Sequence, residues 1–413
     1  MSLGKQYIFF AETESPLLLD NCEELLALID TIMPGWPYRV SSEDNGQSPF
    51  FEIGPAKADG KYPTRAIIKG TDPKNLVPVN AICDVSAALS TEPSFLDKGL
   101  LCMHTAAVEM NGRLVLFPNN RRAGKSTLTV SMSAKGYPIF TDDYLSLSLD
   151  DDMHISGKAN GILPRARLPL PNSVEDLLAQ GTDLDKSVGN KQYRYIAPFD
   201  LPPHGTKCPV GAIVFLDRAE GESTRLESVD PDETIDNLLY QNFGRHVHSG
   251  VTLALLSHMA MKLPVLKLKY AEAAEATSYL GEYFSEWTEE LPRLDAADAK
   301  LIQSKSEGVP PVPPRFDPEK PYAARDGALL KRAGEQTYVS DPEGRTVVRL
   351  DPLAQTIWAI LEDPMPMAEV ISILTEAFPD APKDKIGEDT LELMKWLCRK
   401  ALIEAVPVSP ADP

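Results

Sequence analysis

Leu114-Val-Leu-Phe-Pro-Asn-Asn-Arg-Arg-Ala-Gly-Lys-Ser-Thr127 runs from an apolar segment through a polar turn into Gly124-Lys125-Ser126-Thr127. The apolar half reads as a buried strand. The residues after the turn, Leu128, Val130 and Met132, recur at helical spacing and stop at Gly136. A strand that turns into a helix leaves free backbone N–H groups and the positive end of the helix dipole at the turn, a setting that suits an anion. Lys125 would reach the β- and γ-phosphates of a nucleotide, and the Ser126 hydroxyl would hold a magnesium ion. The expected nucleotide-binding loop is therefore Asn119, Asn120, Arg121, Arg122, Ala123, Gly124, Lys125, Ser126 and Thr127. Only the second half of the usual glycine-rich pattern is intact. Asn119 stands where the first glycine is expected, and Asn tolerates positive φ better than most residues.

Beyond the helix, Tyr137-Pro-Ile-Phe-Thr-Asp142-Asp143-Tyr144 reads as a second apolar strand ending in paired carboxylates. At the carboxyl end of a strand in a parallel sheet, such a pair lies where ligands collect. One aspartate can hold magnesium while the other takes the proton of an attacking hydroxyl. Taken alone, Asp-Asp reads as a solvated strand end; the neighbouring phosphate loop is what turns it into a candidate site.

His104-Thr-Ala-Ala-Val, a short strand, the loop to Lys125-Ser126, the helix and Asp142-Asp143 resemble, in order and spacing, the core of the HPr kinase/phosphorylase family. The likeness covers roughly residues 98–290 and is strongest to the HPr-kinase-related proteins of peptide-modification pathways. It implies an α/β fold with a P-loop kinase core, ATP and Mg2+ as cofactors, and base and metal functions for Asp143 and Asp142. The metal would sit on Ser126 and Asp142, with His104 near the catalytic aspartates. His104 reads equally well as a core histidine before a strand. The departures are informative. The HPr kinases carry a downstream arginine-glycine signature with a glutamate for a further magnesium contact. Here the matching stretch, Gly161-Ile-Leu-Pro-Arg165-Ala-Arg167-Leu-Pro-Leu-Pro171, has no carboxylate. That leaves the second metal site, and the reverse phosphorylase reaction with it, without a ligand. Arg165 and Arg167 become candidate catalytic cations instead, because a guanidinium fork matches phosphate oxygens.

Val210–Asp217 and Leu263–Tyr270 read as buried strands. Between them, Asn237 through Gly244-Arg245-His246-Val247-His248 reads as the end of a helix, its cations placed at the negative end of the dipole. Two histidines with no third ligand nearby make a poor metal site. Gly189-Asn-Lys191-Gln-Tyr193-Arg194-Tyr195 reads as a polar, basic and mobile segment that would cover the site.

Residues 308–321 are too proline-rich for a helix or a central strand and read as a semi-rigid extended linker within 291–324. After it, alternating residues around Ala328 and Thr337, a turn at Asp341-Pro-Glu-Gly344 and a strand to Leu350 precede three helices. Leu350-Asp351-Pro-Leu-Ala-Gln-Thr-Ile-Trp358 resembles the strand-to-helix signature of the PqqD family, over about residues 325–407. That resemblance implies a small winged-helix-like domain that binds a precursor-peptide leader as an added edge strand. The groove would lie near Val347, Val348, Arg349, Leu391, Lys395 and Cys398.

The chain has 413 residues, a net charge of −19 and a pI of about 4.8. Length allows two or three domains, expected at 1–97, 98–290 and 325–413 with the linker at 291–324. The first 97 residues read as an α+β layer, with strands at Tyr7–Phe10, Phe50–Ile53 and Arg65–Ile68 and a helix at Val77–Leu89. The acidic balance argues against nucleic-acid and anionic-membrane partners. Five scattered cysteines read as reduced, buried thiols. No apolar run approaches membrane length and no signal peptide heads the chain, so the cytoplasm, which also supplies ATP, is the expected location. The expected activity is transfer of a γ-phosphoryl group to a serine or similar hydroxyl of a precursor peptide. Two readings stay open beside it: a nucleotide-binding scaffold or peptide chaperone without catalysis, and a kinase of a small molecule or another protein. The HPr kinases assemble into hexamers, and the extra domains here leave self-association open.

Overall fold

The computed structural model describes residues 4–67, 70, 72–90, 101–118, 123–179, 187–197, 200–244, 247–303 and 315–407. Two compact units emerge, Met1–His246 with Lys262–Leu294, and Val247–Met261 with Asp295–Pro413.

The first unit opens on a six-stranded sheet in the order β3-β1-β2-β4-β5-β6. Its strands are β1 (Lys5–Phe10), β2 (Leu17–Asp20), β3 (Tyr38–Ser41), β4 (Phe51–Ile53), β5 (Tyr62–Ala66) and β6 (Lys74–Leu76). Alternation along β1 sends Ile8 and Phe10 to one face, where they join Trp36, Ile82 and Val85 in a core. Tyr7 and Phe9 form a small cluster with Leu18 on the other. Helices α1 (Leu26–Ile32) and α2 (Pro78–Leu89) contribute to that core, which also takes in Tyr144, Ile162 and Leu163 from later in the chain. The strand expected at Arg65–Ile68 starts earlier and ends at Ala66, because Ile67 already sits in the turn closed by Gly70, at φ +55°.

A nine-stranded sheet follows. It is built from β7 (Leu101–Met103), β8 (Ala106–Met110), β9 (Arg113–Phe117), β10 (Ile139–Thr141), β11 (Leu145–Leu149), β12 (Ile155–Lys158), β16 (Lys207–Arg218), β17 (Arg225–Ser228) and β18 (Val265–Tyr270). Intervening β13 (Arg165–Arg167), β14 (Val188–Gly189) and β15 (Tyr193–Tyr195) make a separate three-stranded sheet. Helices α3 (Lys125–Ala134), α4 (Asn172–Ala179), α5 (Pro231–Gln241) and α7 (Ala273–Tyr283) complete this unit; α6 (Ser249–Lys262) belongs with the other.

The large sheet is mixed rather than parallel, which corrects the sequence expectation. β8 pairs antiparallel with both β9 and β10. Two reversals restore direction, so β9 and β10 end on the same edge, and β8 begins there. β16 runs parallel to β9, and β18 parallel to β16. Val108, Val115, Phe117, Leu128, Met132, Val214 and Leu268 bury the contact of α3 with this sheet.

In the second unit, β20 (Leu329–Ala333), β21 (Gln336–Ser340) and β22 (Val347–Leu350) form one antiparallel sheet with β22 at its edge. β19 (Pro321–Ala324) pairs with β23 (Met365–Pro366) and β24 (Ile403–Ala405) in another. Helices α8 (Ala296–Gln303), α9 (Pro352–Ile360), α10 (Met367–Ala377) and α11 (Lys383–Arg399) complete the unit. Asp351 caps α9 by accepting from the Ala354 N–H at 2.8 Å, with Pro352 at the first helical position. Trp358, Leu374, Met394 and Leu397 form the core.

Three expectations change here. The 291–324 stretch carries α8 and the whole of β19 instead of running extended throughout; residues 304–314 lie outside the described residues. α5 ends at Gln241, and Arg245 and His246 lie outside the described residues. His248 precedes the N-terminus of α6 rather than ending a helix. Its Nε2 donates to the Pro342 carbonyl at 3.1 Å, and its Nδ1 accepts from the Gly250 N–H. Next to it, the Ser249 hydroxyl bonds Ser340 Oγ at 2.6 Å and donates to the Thr346 carbonyl at 2.9 Å. Among the described residues, none of the five cysteines is in a disulfide, and no helix is long and apolar enough to cross a membrane.

Candidate functional site

The shared edge where β9 and β10 end and β8 begins opens into a cleft of about 1240 Å3. Gly124 starts α3 in the left-handed conformation, at φ +96° and ψ 3°. A Cβ there would sit 2.5 Å from the Tyr270 hydroxyl, so both the backbone conformation and the space call for glycine. Lys125 follows, buried at 8 % exposure, with Nζ 3.4 Å from His104 Nε2. His104 lies just before β8, and that same Nε2 is 3.5 Å from Asp143 Oδ1. Three residues separated by up to 39 positions thus meet at one imidazole edge.

The aspartate pair is held from below. Thr141 Oγ1, at the end of β10, accepts from the N–H groups of Asp143 (3.1 Å) and Tyr144 (3.2 Å). The buried Asn160 amide donates to Thr141 Oγ1 at 2.9 Å, while its carbonyl oxygen accepts from Ile162 N. Asp142 accepts from the Arg165 backbone N–H at 2.9 Å and from the Ser126 hydroxyl. Burial, reinforced by Asp143, pushes the Asp142 carboxyl up to about 6, against the pull of Arg165 and Ser126. Burial would raise Asp143 too, but hydrogen bonding from His104, with Arg165 and Lys125 nearby, holds it below the usual carboxylate range. The twin carboxylates are therefore split: Asp143 stays ionised, with its side chain 48 % exposed to the cleft, and Asp142 keeps its proton up to a higher pH, losing it at about 6.

The opposite wall is the small sheet of β13, β15 and β14. Register pairs Arg165 with Tyr195 and Arg167 with Tyr193, and all four side chains line the cleft. Arg165 lies 4.8 Å over the Tyr193 ring and touches Cys83 Sγ, and Arg167 donates to the Tyr193 hydroxyl at 3.1 Å. Burial works against the Arg165 charge, yet Cys83, Tyr195 and the aspartates hold it protonated above its ordinary value. Burial raises the Cys83 thiol, against the pull of Arg165. The back of this sheet is anchored by Ala166, which packs with Val130 of α3 and Val174 of α4. The segment read from sequence as mobile is thus paired structure, because its backbone groups find partners in β13.

Of the expected loop, Ala123, Gly124, Lys125, Ser126 and Thr127 line the cleft; Asn119, Asn120, Arg121 and Arg122 lie outside the described residues. His104, Asp142, Asp143, Arg165 and Arg167 line it as well. Ser126 and Asp142, with a hydroxyl and a carboxylate in contact, form a hard-oxygen pair that fits magnesium. Among the described residues, no group of three or more His, Cys, Asp or Glu gathers to hold a metal without other help. Gln241, Phe243, Tyr240 and Asn160 were not found from sequence, whereas Tyr195 belongs to the segment expected to cover the site. Gln241 reaches His104 across 137 positions, and nothing local marks it. Thr141 was findable, since Thr before Asp-Asp is a side-chain turn pattern.

In the second unit, Val347 and Val348 are half-buried, Arg349 is exposed on the edge strand β22, and on α11 Leu391 is half-buried and Lys395 exposed. Cys398 is a correction: at 1 % exposure it is part of the core with Trp358 and Leu397, so it cannot face a groove.

Residues 337–403 match the sequence profile of the PqqD family, described as coenzyme PQQ synthesis protein D, which places a PqqD domain at the carboxyl end. No match was found among curated proteins. Among solved structures, the Hpr(Ser) kinase/phosphatase from Coxiella burnetii is similar over 45 % of this chain and 91 % of that one, at 14 % identity and a TM-score of 0.20.

Proposed function

We propose that the first unit transfers the γ-phosphoryl group of ATP to a serine or similar hydroxyl of a precursor peptide that the PqqD domain holds by its leader. The observation that carries this reading is the meeting of Lys125, His104 and Asp143 at one imidazole edge, beside the N-terminus of α3 and against Asp142. Free N–H groups there suit phosphate oxygens, and Lys125 adds a fixed positive charge. Asp143, ionised and open to the cleft, is the acceptor for the hydroxyl proton. Ser126 and Asp142 would hold magnesium, which would supply positive charge to offset that of the phosphate. Arg165 and Arg167 supply the further positive charge from the facing wall. The cleft leaves room for an acceptor beside a nucleotide. On the PqqD domain, the edge strand β22, with Val347, Val348 and Arg349, and the α11 face with Leu391 and Lys395 are the surface for an added peptide strand.

The test is calorimetry of magnesium-dependent nucleotide binding, followed by transfer to a peptide. Wild type should bind ATP, Lys125→Ala should lose binding, and Asp143→Asn should bind but fail to transfer. Binding of neither ATP nor GTP at millimolar concentration ends the kinase reading. The chain would then be a peptide-binding scaffold, the reading favoured by Asn119 in place of the loop's first glycine.

A further inference from the structure

Gln241 is 2 % exposed at the last residue of α5, and its side-chain Oε1 lies 2.9 Å from His104 Nδ1. The backbone repeats the link: the Gln241 carbonyl accepts from the His104 N–H at 2.8 Å, Asn242 bridges to Met103, and Phe243 N donates to the Cys102 carbonyl at 2.6 Å. The Phe243 ring stacks on the imidazole at 5.5 Å and 15°. The imidazole is thus fixed in plane and in direction.

Its protonation pattern follows from donors and acceptors. A side-chain amide oxygen only accepts, so the His104 Nδ1 that meets Gln241 Oε1 carries a proton. That bond turns Nε2 toward Lys125 Nζ and Asp143 Oδ1, at 3.4 and 3.5 Å.

We infer that Gln241 is a positioning residue that keeps the His104 Nδ1 protonated and directs its Nε2 at Asp143, the base that takes the proton of the acceptor hydroxyl. The inference rests on the phosphoryl-transfer reading. In the step, the acceptor O–H bond breaks and its electron pair forms the new O–P bond. The bond from the γ-phosphorus to the bridging oxygen breaks, and that oxygen keeps the pair. The proton goes to Asp143, whose place beside Nε2 depends on the ring that Gln241 holds. Neither Gln241 nor Phe243 touches the reacting atoms.

The experiment uses the full chain labelled with 15N-histidine. Two-bond proton–nitrogen correlation reports the tautomer of each ring, and the His104 signals are those missing from His104→Asn. Wild type should show the Nδ1–H form at His104. Gln241→Glu, which keeps an acceptor, should retain it. Gln241→Met, of similar length without an acceptor, should move the ring toward Nε2–H. The same variant should lower kcat for transfer about tenfold or more while leaving the nucleotide KM unchanged, and Gln241→Glu should restore most of the rate. An Nε2–H ring in wild type, or the same tautomer in wild type and Gln241→Met, overturns the inference. If the tautomer responds as expected but wild type transfers no phosphate to any peptide, the positioning stands and the kinase reading is what fails.

Discussion

At the scale of single residues, the site stores instability in Asp142. Its carboxyl titrates at about 6 in the fold against an ordinary value of 3.8, so the folded protein binds the proton more tightly than the unfolded chain. The penalty is full above about pH 6 and gone below about 3.8, and amounts to about 3 kcal/mol. Asp142→Asn should therefore stabilise the metal-free protein at pH 7–8 by about that amount. The gain should vanish near pH 4, while magnesium-dependent nucleotide binding is lost; melting curves across pH check both. His204 works in the opposite sense. It stacks on Trp36 at 4.0 Å with Glu12 at 3.4 Å, and Glu12 pairs with Lys158. Burial, with Lys158, depresses it to about 4 from 6.5, so the unfolded chain takes the proton first. Stability is lost as pH falls from about 6.5 to about 4, by about 3 kcal/mol in all. His204→Phe, which keeps a ring on Trp36, should flatten that acid limb in a plot of unfolding free energy against pH.

Among the elements, the turn into α3 carries the sharpest constraint. Gly124→Ala meets two separate obstacles, a positive φ of 96° and the Tyr270 hydroxyl 2.5 Å from the new Cβ. The left-handed conformation alone costs an alanine about 1–2 kcal/mol. ATP affinity should fall about tenfold or more as the loop shifts. Adding Tyr270→Phe removes the clashing oxygen and leaves the ring carbon 3.8 Å away, so it should recover part of the loss and not all. Full recovery would mean that the backbone conformation carries no strain. The same element shows how much of a site can be local: a strand, a left-handed glycine and a helix start place Lys125 with no help from elsewhere. By contrast, β13 and β15 depend on pairing, and a run of Lys, Gln, Tyr and Arg carries no periodicity to announce it.

For the whole molecule, the PqqD domain and the cleft are joined by one chain, so on the proposed function capture of a leader would raise the local concentration of the attached acceptor. A peptide lacking its leader should reach the same kcat with KM raised about 100-fold. A leader fragment added in excess should raise the apparent KM of the intact peptide and leave kcat unchanged. A leader fragment that lowers kcat instead would place its action in the cleft. Domain organisation was legible in part. The proline-rich run marked the approach to the PqqD domain, and the signature at Leu350–Trp358 marked its strand-to-helix step, since Asp351 caps α9 through bonds only three residues long. The assignment of α6 to the second unit was not legible, because the bonds of Ser249 to Ser340 and Thr346 span more than ninety positions.

What the sequence determined by itself is what short-range physics governs: the strand, glycine and helix start around Lys125, the turn at Asp142-Asp143 and the cap at Asp351. Spacing of a few residues sets backbone hydrogen bonds and side-chain periodicity, and those can be read along a line. Only the tertiary structure decided that His104 faces Lys125 and Asp143, that Gln241 orients it, that Cys398 is core, and that the sheet is mixed with β8 reversed between two strands running the same way. Those depend on which distant segments pair and what they exclude from water. Burial and long-range hydrogen bonding set them, and neither leaves a pattern in the residues taken one after another.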